Sequence, residues 1–475
     1  MEGNFDNIFI TTTLPYINGS PHVGAAFEFI LGDSINRFLK LHNHQTHFNV
    51  GLDEHGLKVW LKSKELNIST EEHIENLTKV WLDFCNIFNI KYDSFYKTSN
   101  VSHHNSVKIV WNRFLERGDI YKKYYSGKYC VGCESFKTDK ELIDNKCPDH
   151  STITVETIEE ENYFFKLTKY KNILLNWIDS NQNFLEPISK IPELRNLILE
   201  SEDISISRIR EKCPWGITVP DNENHTIYVW LDALLNYIFA AGYLTDNFKW
   251  EHVIQLCGPD NLRFQAVIFQ AFLESEGIKK TNKLLIHGTI LDNNGKKISK
   301  SLGNVIDPIE QFNKYGLDAI RYYLLAGINT YSNSSWIESD IVNLFNSNIC
   351  NEWGNLLSRT LHLIDIKCDG KINDPSIEFK SNIEKLKNNI NNEWFNFQVK
   401  NALQLTNELV KIGNKHINDF KPWSTNNYDC LNDLYYLIQI INELYSPVFP
   451  DKYILIKENI EKKKKFIPFT KLNII

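Results

Sequence analysis

The feature that most narrows the fold is a repeated unit: a strand-length apolar run breaks into a small polar turn, and a helix follows. Ile8 to Ile10 reads as a strand that continues into Thr11-Thr12-Thr13-Leu14-Pro15-Tyr16. The tight loop Asn18-Gly19-Ser20-Pro21-His22-Val23-Gly24 then leads to a helical pattern over Ala25 to Leu41. Thr46 to Leu52 reads as a second strand, ends in Asp53-Glu54-His55-Gly56 and gives way to a helix at Leu57. Ser69 with Glu72 forms a capping box for the next helix. Further on, His252 to Cys257 is a strand whose Gly258-Pro259-Asp260-Asn261 turn opens another helix. Leu284 to Gly288 is the last such strand, and it feeds a loop rich in lysine. Strand ends that carry polar residues ahead of helices predict an α/β fold: a parallel sheet with its ligand at the carboxyl edge.

Two of these turns have the chemistry of phosphate sites. The first places His22 between a strand and a helix N-terminus, where backbone N–H groups and the helix dipole favour an anion. The second is Asn294-Gly295-Lys296-Lys297-Ile298-Ser299-Lys300-Ser301-Leu302-Gly303-Asn304, a bendable loop whose lysines supply mobile point charges. Taken alone, a Lys/Ser/Gly run reads as a solvated turn. Taken together and in this order, the two stretches resemble the paired signatures of class I aminoacyl-tRNA synthetases. Pro21-His22-Val23-Gly24-Ala25 sits where that family has its HIGH motif, and Lys297-Ile298-Ser299-Lys300-Ser301 looks like its KMSKS loop.

With 475 residues the chain has room for several domains. A net charge of −7 argues against a generally basic nucleic-acid coat and leaves tRNA to local lysine clusters. Nine scattered cysteines behind a polar, acidic start predict a reducing cytoplasm rather than a disulfide framework. No apolar run has the length of a membrane span. Cys130-Val131-Gly132-Cys133 and Cys147-Pro148-Asp149-His150 are separated by thirteen residues. Two such knuckles can close a tetrahedral Cys₃His zinc site from Cys130, Cys133, Cys147 and His150. Protein takes all four corners, so the expected zinc is structural.

The stretch after the knuckles reads as a separate unit between two halves of the α/β core. It has a short aromatic strand, Asn162 to Phe165, then helices over Thr168 to Glu202 broken at Pro187 and Pro192. Thr226 to Trp230 is expected as a core strand and Leu231 to Ala241 as a helix. Asp307-Pro308 is a clean helix start. Beyond about Ser339, the amphipathic stretches Ile341–Ile366, Asn382–Asp419 and Cys430–Tyr445 predict a bundle of roughly four or five helices. Lys462 to Lys465 reads as a solvated tail.

Within the class, the chain resembles the methionyl-tRNA synthetases over nearly its whole length. The likeness is carried by Thr12 to Gly19, Gly51 to Gly56, the knuckles with Glu161 to Phe165, Tyr228 to Tyr237, and Lys421-Pro422-Trp423. It implies a Rossmann-type catalytic domain in two halves (1–115 and 226–290) around a connective insertion (116–225, with the knuckle at about 127–150). A KMSKS and stem-contact region (291–340) and an all-α anticodon-binding domain (341–475) follow. The implied activity is ATP-dependent ligation of methionine to initiator and elongator tRNA(Met) by a cytoplasmic protein, with Mg²⁺ on the pyrophosphate side. Because no further module follows the bundle in this sequence, a monomer is expected.

The resemblance also assigns residues. His22, Lys297 and Lys300 are catalytic, and Gly24, Glu28, Asp260, His287, Gly288 and Ser299 join them around ATP. Thr13, Leu14, Tyr16, Asp53, Trp230, Ala233, Leu234, Tyr237, Asn261 and Gln265 surround methionine. A thioether suits a polarisable aromatic wall, and a cationic α-amine suits a fixed carboxylate such as Asp53. Unplaced, Trp230 and Tyr237 read equally as core aromatics. Asn355, Arg359 and Trp423 match the anticodon readers, since splayed bases stack on aromatic faces; Trp423 after a proline reads equally as a loop anchor.

Several positions depart from the family pattern. Ala25 stands for histidine, Pro259 for lysine, Asn261 for an apolar wall, Gln265 for histidine and Phe269 for tryptophan, while Ile298 for methionine conserves volume. Asn261 and Gln265 are expected to bond each other. The alternative they leave open is a synthetase-like paralogue whose aminoacylation is lost or altered.

Overall fold

The structure is a computed structural model that describes residues 7–130, 135–137, 142–148, 155–298, 303–425 and 428–473. Six strands form one sheet in the order Ser94–Lys97, Thr46–Leu52, Ile8–Thr11, His252–Cys257, Lys283–Ile286, Leu185–Glu186. All of its pairings are parallel. Successive side chains of a strand face opposite ways, and Ile8 and Ile10 accordingly enter one core while Phe9 enters another. The first core lies under the helix Val23–Leu41 and runs on into the C-terminal helices. The second lies under the helices Val101–Glu116, Val229–Ala240 and Phe269–Glu276.

The helices start where the sequence places caps. Ser69 accepts from the Glu72 N–H, and Asp307 accepts from the N–H groups of Ile309 and Glu310. The strand at Thr46–Leu52 and the helix from Leu57 match their sequence reading.

Three expectations need correction. The aromatic strand is much longer than Asn162 to Phe165: Glu156–Phe165 pairs antiparallel along Ile120–Cys130. Its acid-rich half looks unlike a strand by composition. The partner strand sets Tyr124, Tyr125 and Ser126 opposite Glu161, Glu160 and Glu159, and Lys122 reaches diagonally to Glu161, its Nζ 3.4 Å away. Second, the connecting region is not a separate unit, because Leu185–Glu186 returns to the main sheet beside Leu284 and Leu285. Pro192 sits in the first turn of the helix Ile191–Glu200 rather than breaking one, a position where its missing N–H costs nothing. Third, the strand before Trp230 is Asn222–Ile227, and Trp230 belongs to the helix Val229–Ala240. That helix is buried all round, and periodicity cannot separate a continuous apolar run from a strand.

The C-terminal region is helical throughout. Glu338–Leu344 continues through a wide turn into Asn355–Cys368, followed by Ile377–Phe395, Val399–Phe420, Asp429–Tyr445 and Pro450–Lys462. The stretch Asn382–Asp419 is two helices, divided at Phe397 with φ of 61°. Lys463 is tied rather than free in solvent: its Nζ donates to the Gly370 carbonyl at 2.9 Å. Among the described residues, no helix is long and apolar enough to cross a membrane.

Candidate active site

The carboxyl ends of four neighbouring strands converge on one edge of the sheet, and most of the predicted site residues stand there. Beyond Thr11, the Thr13 hydroxyl bonds the Leu256 carbonyl at 3.4 Å, and the Thr13 N–H donates to Glu28 of the adjacent helix. Beyond Leu52, the Asp53 N–H donates to the Pro15 carbonyl and the Asp53 carbonyl accepts from Ile17, each at 3.0 Å. Tyr16 and Asp53 therefore lie side by side.

His22 caps the helix Val23–Leu41: its Nδ1 accepts from the Gly24 N–H at 3.0 Å and the Ala25 N–H at 3.4 Å. A Cβ on Gly24 would lie 2.8 Å from the imidazole Cε1, so a side chain there would displace this cap. Gly288 is crowded too, since its Cβ would fall 2.0 Å from the Ser332 carbonyl oxygen. Between them, His287 directs Nε2 at Glu28, 3.0 Å away, and Nδ1 at the Gly288 carbonyl, 2.8 Å away. Burial depresses the His287 pKa, but the bond to Glu28 and its charge, with the Gly288 carbonyl and Asp260, together outweigh it and leave the imidazole above its usual range.

The described flanks of the lysine loop, at Lys297 and at Ile306, are both tied to this edge. The Val23 N–H donates to Ile306 past the end of the loop at 3.2 Å. Lys297 Nζ meets Asp260 at 2.5 Å. Asn304 spans the base, donating to Asp292 at 2.9 Å and to the Lys297 carbonyl at 3.2 Å. Ser299 and Lys300 lie outside the described residues.

In the same core as Leu14 stands an aromatic and polar wall. Trp230 stacks on Phe264 with ring centroids 3.6 Å apart. Ala233, Leu234 and Tyr237 follow on the same helix, all buried. Gln265 does not pair with Asn261. Its Nε2 donates to the Tyr237 hydroxyl at 2.7 Å and its Oε1 accepts from Gln255 at 3.1 Å. Asn261 sits in the turn at the strand end, whereas Gln265 lies a turn further on, beneath Tyr237. Burial raises the Tyr237 pKa, so its hydroxyl is neutral.

Elsewhere, Cys130 and Cys147 are both fully buried, while Cys133 and His150 lie outside the described residues. Among the described residues no group of three or more metal-binding side chains is assembled. In the helical region, Arg359 lies over the exposed ring of Trp423 at 5.2 Å. Asn355 is exposed one turn earlier on the same helix.

The sequence model described as "tRNA synthetases class I (M)" matches residues 8–154 and 149–361. A methionine–tRNA ligase of Fusobacterium nucleatum is 37% identical over 433 residues, 88% of this chain and 67% of its own length. One of Ureaplasma parvum is 33% identical over 472 residues, covering 93% of this chain and 89% of that protein. The chain belongs to the methionine–tRNA ligase family. It spans 66% of another member, from Caldanaerobacter subterraneus, at 36% identity. Among solved structures of the family, Mycobacterium tuberculosis methionyl-tRNA synthetase in complex with methionyl-adenylate superposes with a TM-score of 0.89 at 30% identity, covering 96% of this chain and 94% of that one.

Two features of this family member escaped sequence reading. The buried Arg208 lies between Tyr228, 3.8 Å from the ring centroid, and Tyr129, at 5.3 Å. It thus joins the strand that carries Cys130 to the residue that starts the Trp230 helix. No spacing signal marked it. His55 and the buried Asp232 form a pair at 2.9 Å; His55 stands inside the quoted Asp53-Glu54-His55-Gly56 motif and Asp232 inside the Trp230 stretch, so both were in view without a role.

Proposed function

We propose that the protein charges tRNA(Met), initiator and elongator alike, with methionine in two steps. In the first, a methionine carboxylate oxygen attacks the α-phosphorus of ATP, the new O–P bond forms and pyrophosphate leaves. The observation that carries this reading is the meeting, at one sheet edge, of the buried carboxylate of Asp53, the Trp230–Tyr237 wall and the two phosphate-type turns. Asp53 holds the α-amine, Leu14, Tyr16, Trp230, Ala233, Leu234 and Tyr237 enclose the thioether, and Gln265 keeps the Tyr237 hydroxyl oriented. His22, Lys297 and Lys300 neutralise the phosphates, with Glu28, His287 and Asp260 on the nucleoside side. No side chain serves as nucleophile, so catalysis rests on positioning and charge neutralisation. Mg²⁺ bound with ATP would help neutralise the charge on the departing pyrophosphate. In the second step the terminal ribose hydroxyl of tRNA takes the methionyl group and AMP leaves.

Asn355, Arg359 and Trp423 read the anticodon in this scheme; an exposed indole carrying a guanidinium is a stacking platform for bases. The test joins two assays. Methionine-dependent ATP–pyrophosphate exchange is expected of the wild-type protein and of Trp423→Ala alike. Charging of tRNA(Met) is expected to fall by about tenfold or more in the variant, the loss of one stacked base. No exchange with any amino acid sinks the function, and equal losses in both assays make Trp423 structural.

Cys130, Cys133, Cys147 and His150 would hold a structural zinc. The burial of Cys130 and Cys147 suits thiolates protected by a metal. Bound there, zinc supplies folding energy to the knuckle and no catalytic water. Elemental analysis of gently purified protein is expected to give about one equivalent, and less than about half would remove the site.

A further inference from the structure

The pocket helix and the turn that carries Asp53 come from parts of the chain 177 residues apart, and a buried side-chain pair joins them. Asp232 lies two residues after Trp230 and one before Ala233, with no exposed surface. Its Oδ2 meets His55 Nδ1 at 2.9 Å. Its Oδ1 faces His103 Nε2 at 3.8 Å and makes no hydrogen bond among the described residues. His104 packs on His55 with ring centroids 5.1 Å apart.

A buried carboxylate is costly unless it is paired, so its presence fixes whatever pairs with it. Burial works to raise the Asp232 pKa, and the facing histidines hold it below the usual carboxylate range. His55 in turn directs its backbone N–H at Asp53 Oδ1, 3.5 Å away. The rest of that turn is pinned through Glu54. Its carbonyl accepts from Trp215 Nε1 at 2.7 Å, its N–H donates to Thr98 Oγ1 at 2.9 Å, and its carboxylate takes Thr78 and Ser99. Those contacts set the turn against its own half of the domain and against the chain at Trp215. The His55–Asp232 pair sets it against the helix that supplies the thioether wall.

We propose that Asp232, acting through His55, is a positioning residue that holds the Asp53 carboxylate in register with the Trp230–Tyr237 wall, so that one ligand meets both. This rests on the proposed methionine activation. It makes a prediction that mere stability does not: the effect of losing Asp232 passes through the amine.

The test is the isosteric Asp232→Asn in pyrophosphate exchange, beside inhibition by the des-amino analogue of methionine. The KM for methionine is expected to rise about tenfold, with kcat and the KM for ATP within about twofold. Inhibition by the des-amino analogue, which has no amine to misplace, is expected to stay at its wild-type value. In an Asp53→Ala background the Asp232→Asn effect is expected to vanish when both are read as methionine binding by calorimetry. An unchanged methionine KM overturns the proposal, as does a parallel loss for methionine and the des-amino analogue. Wild-type protein without methionine-dependent exchange removes the underlying function instead, and the two failures are told apart by that control.

Discussion

Alanine at Asp53 is expected to lower methionine-dependent pyrophosphate exchange by roughly a hundredfold or more, while the protein stays folded. The magnitude follows from the burial of the carboxylate, which is 6% exposed. A charged α-amine brought to this edge leaves water, and removing its carboxylate leaves it unpaired at a cost of about 3 kcal/mol or more. A barrier change of that size is roughly two powers of ten in rate. The fold should survive because the backbone of Asp53, not its side chain, joins the strand ends through Pro15 and Ile17. Melting within a few degrees of wild type, with ATP binding retained, separates loss of the amine site from collapse of the sheet edge. Exchange within about threefold of wild type would mean the amine is held elsewhere.

The legible parts of this chain were those where a single local rule decides the outcome. The strand Thr46–Leu52 ends where Asp53 follows, Asp307-Pro308 starts a helix, and Ser69 caps one; each follows from backbone chemistry over a few residues. The site residues came into view because polar groups at strand ends have few other uses in a parallel sheet. What stayed hidden depended on partners far along the chain. The two-residue strand Leu185–Glu186 exists only because Lys283–Ile286 offers it an edge. Trp230 reads as strand until the surroundings of its helix are known. Gln265 has no short-range signal for Tyr237 and Gln255, and it pairs with them because the turn of chain around residues 264–268 carries it past Asn261. That pairing also bears on the departures from the family pattern. The amide in place of histidine is fully engaged, as expected of a pocket that still holds its tyrosine in place rather than one left to decay.

The second large effect is expected at Arg321, which no motif contains. Its guanidinium is wholly buried and joins three parts of the fold. It donates to Asp33 Oδ2 at 2.7 Å and to Ser34 at 3.2 Å, on the helix that His22 caps. It reaches the Phe88 carbonyl at 3.0 Å, and the Pro447 and Val448 carbonyls, at 3.0 and 2.9 Å, in the turn between the last two helices. A planar fork with five donors can serve such a set, whereas an ammonium cannot. Asp33 keeps Arg37 at 2.8 Å and the Lys91 N–H at 2.9 Å, so the substitution Arg321→Met orphans chiefly the carbonyls. Breaking a buried charge network of this kind costs about 3–5 kcal/mol. The expected result is a fall in melting temperature of roughly 5 °C or more. Because these contacts join the His22 helix to the helical region, Arg321→Lys should recover only a minor part of the loss. Melting of Arg321→Met within about one degree of wild type would mean that packing across this junction, and not the guanidinium, holds the two together.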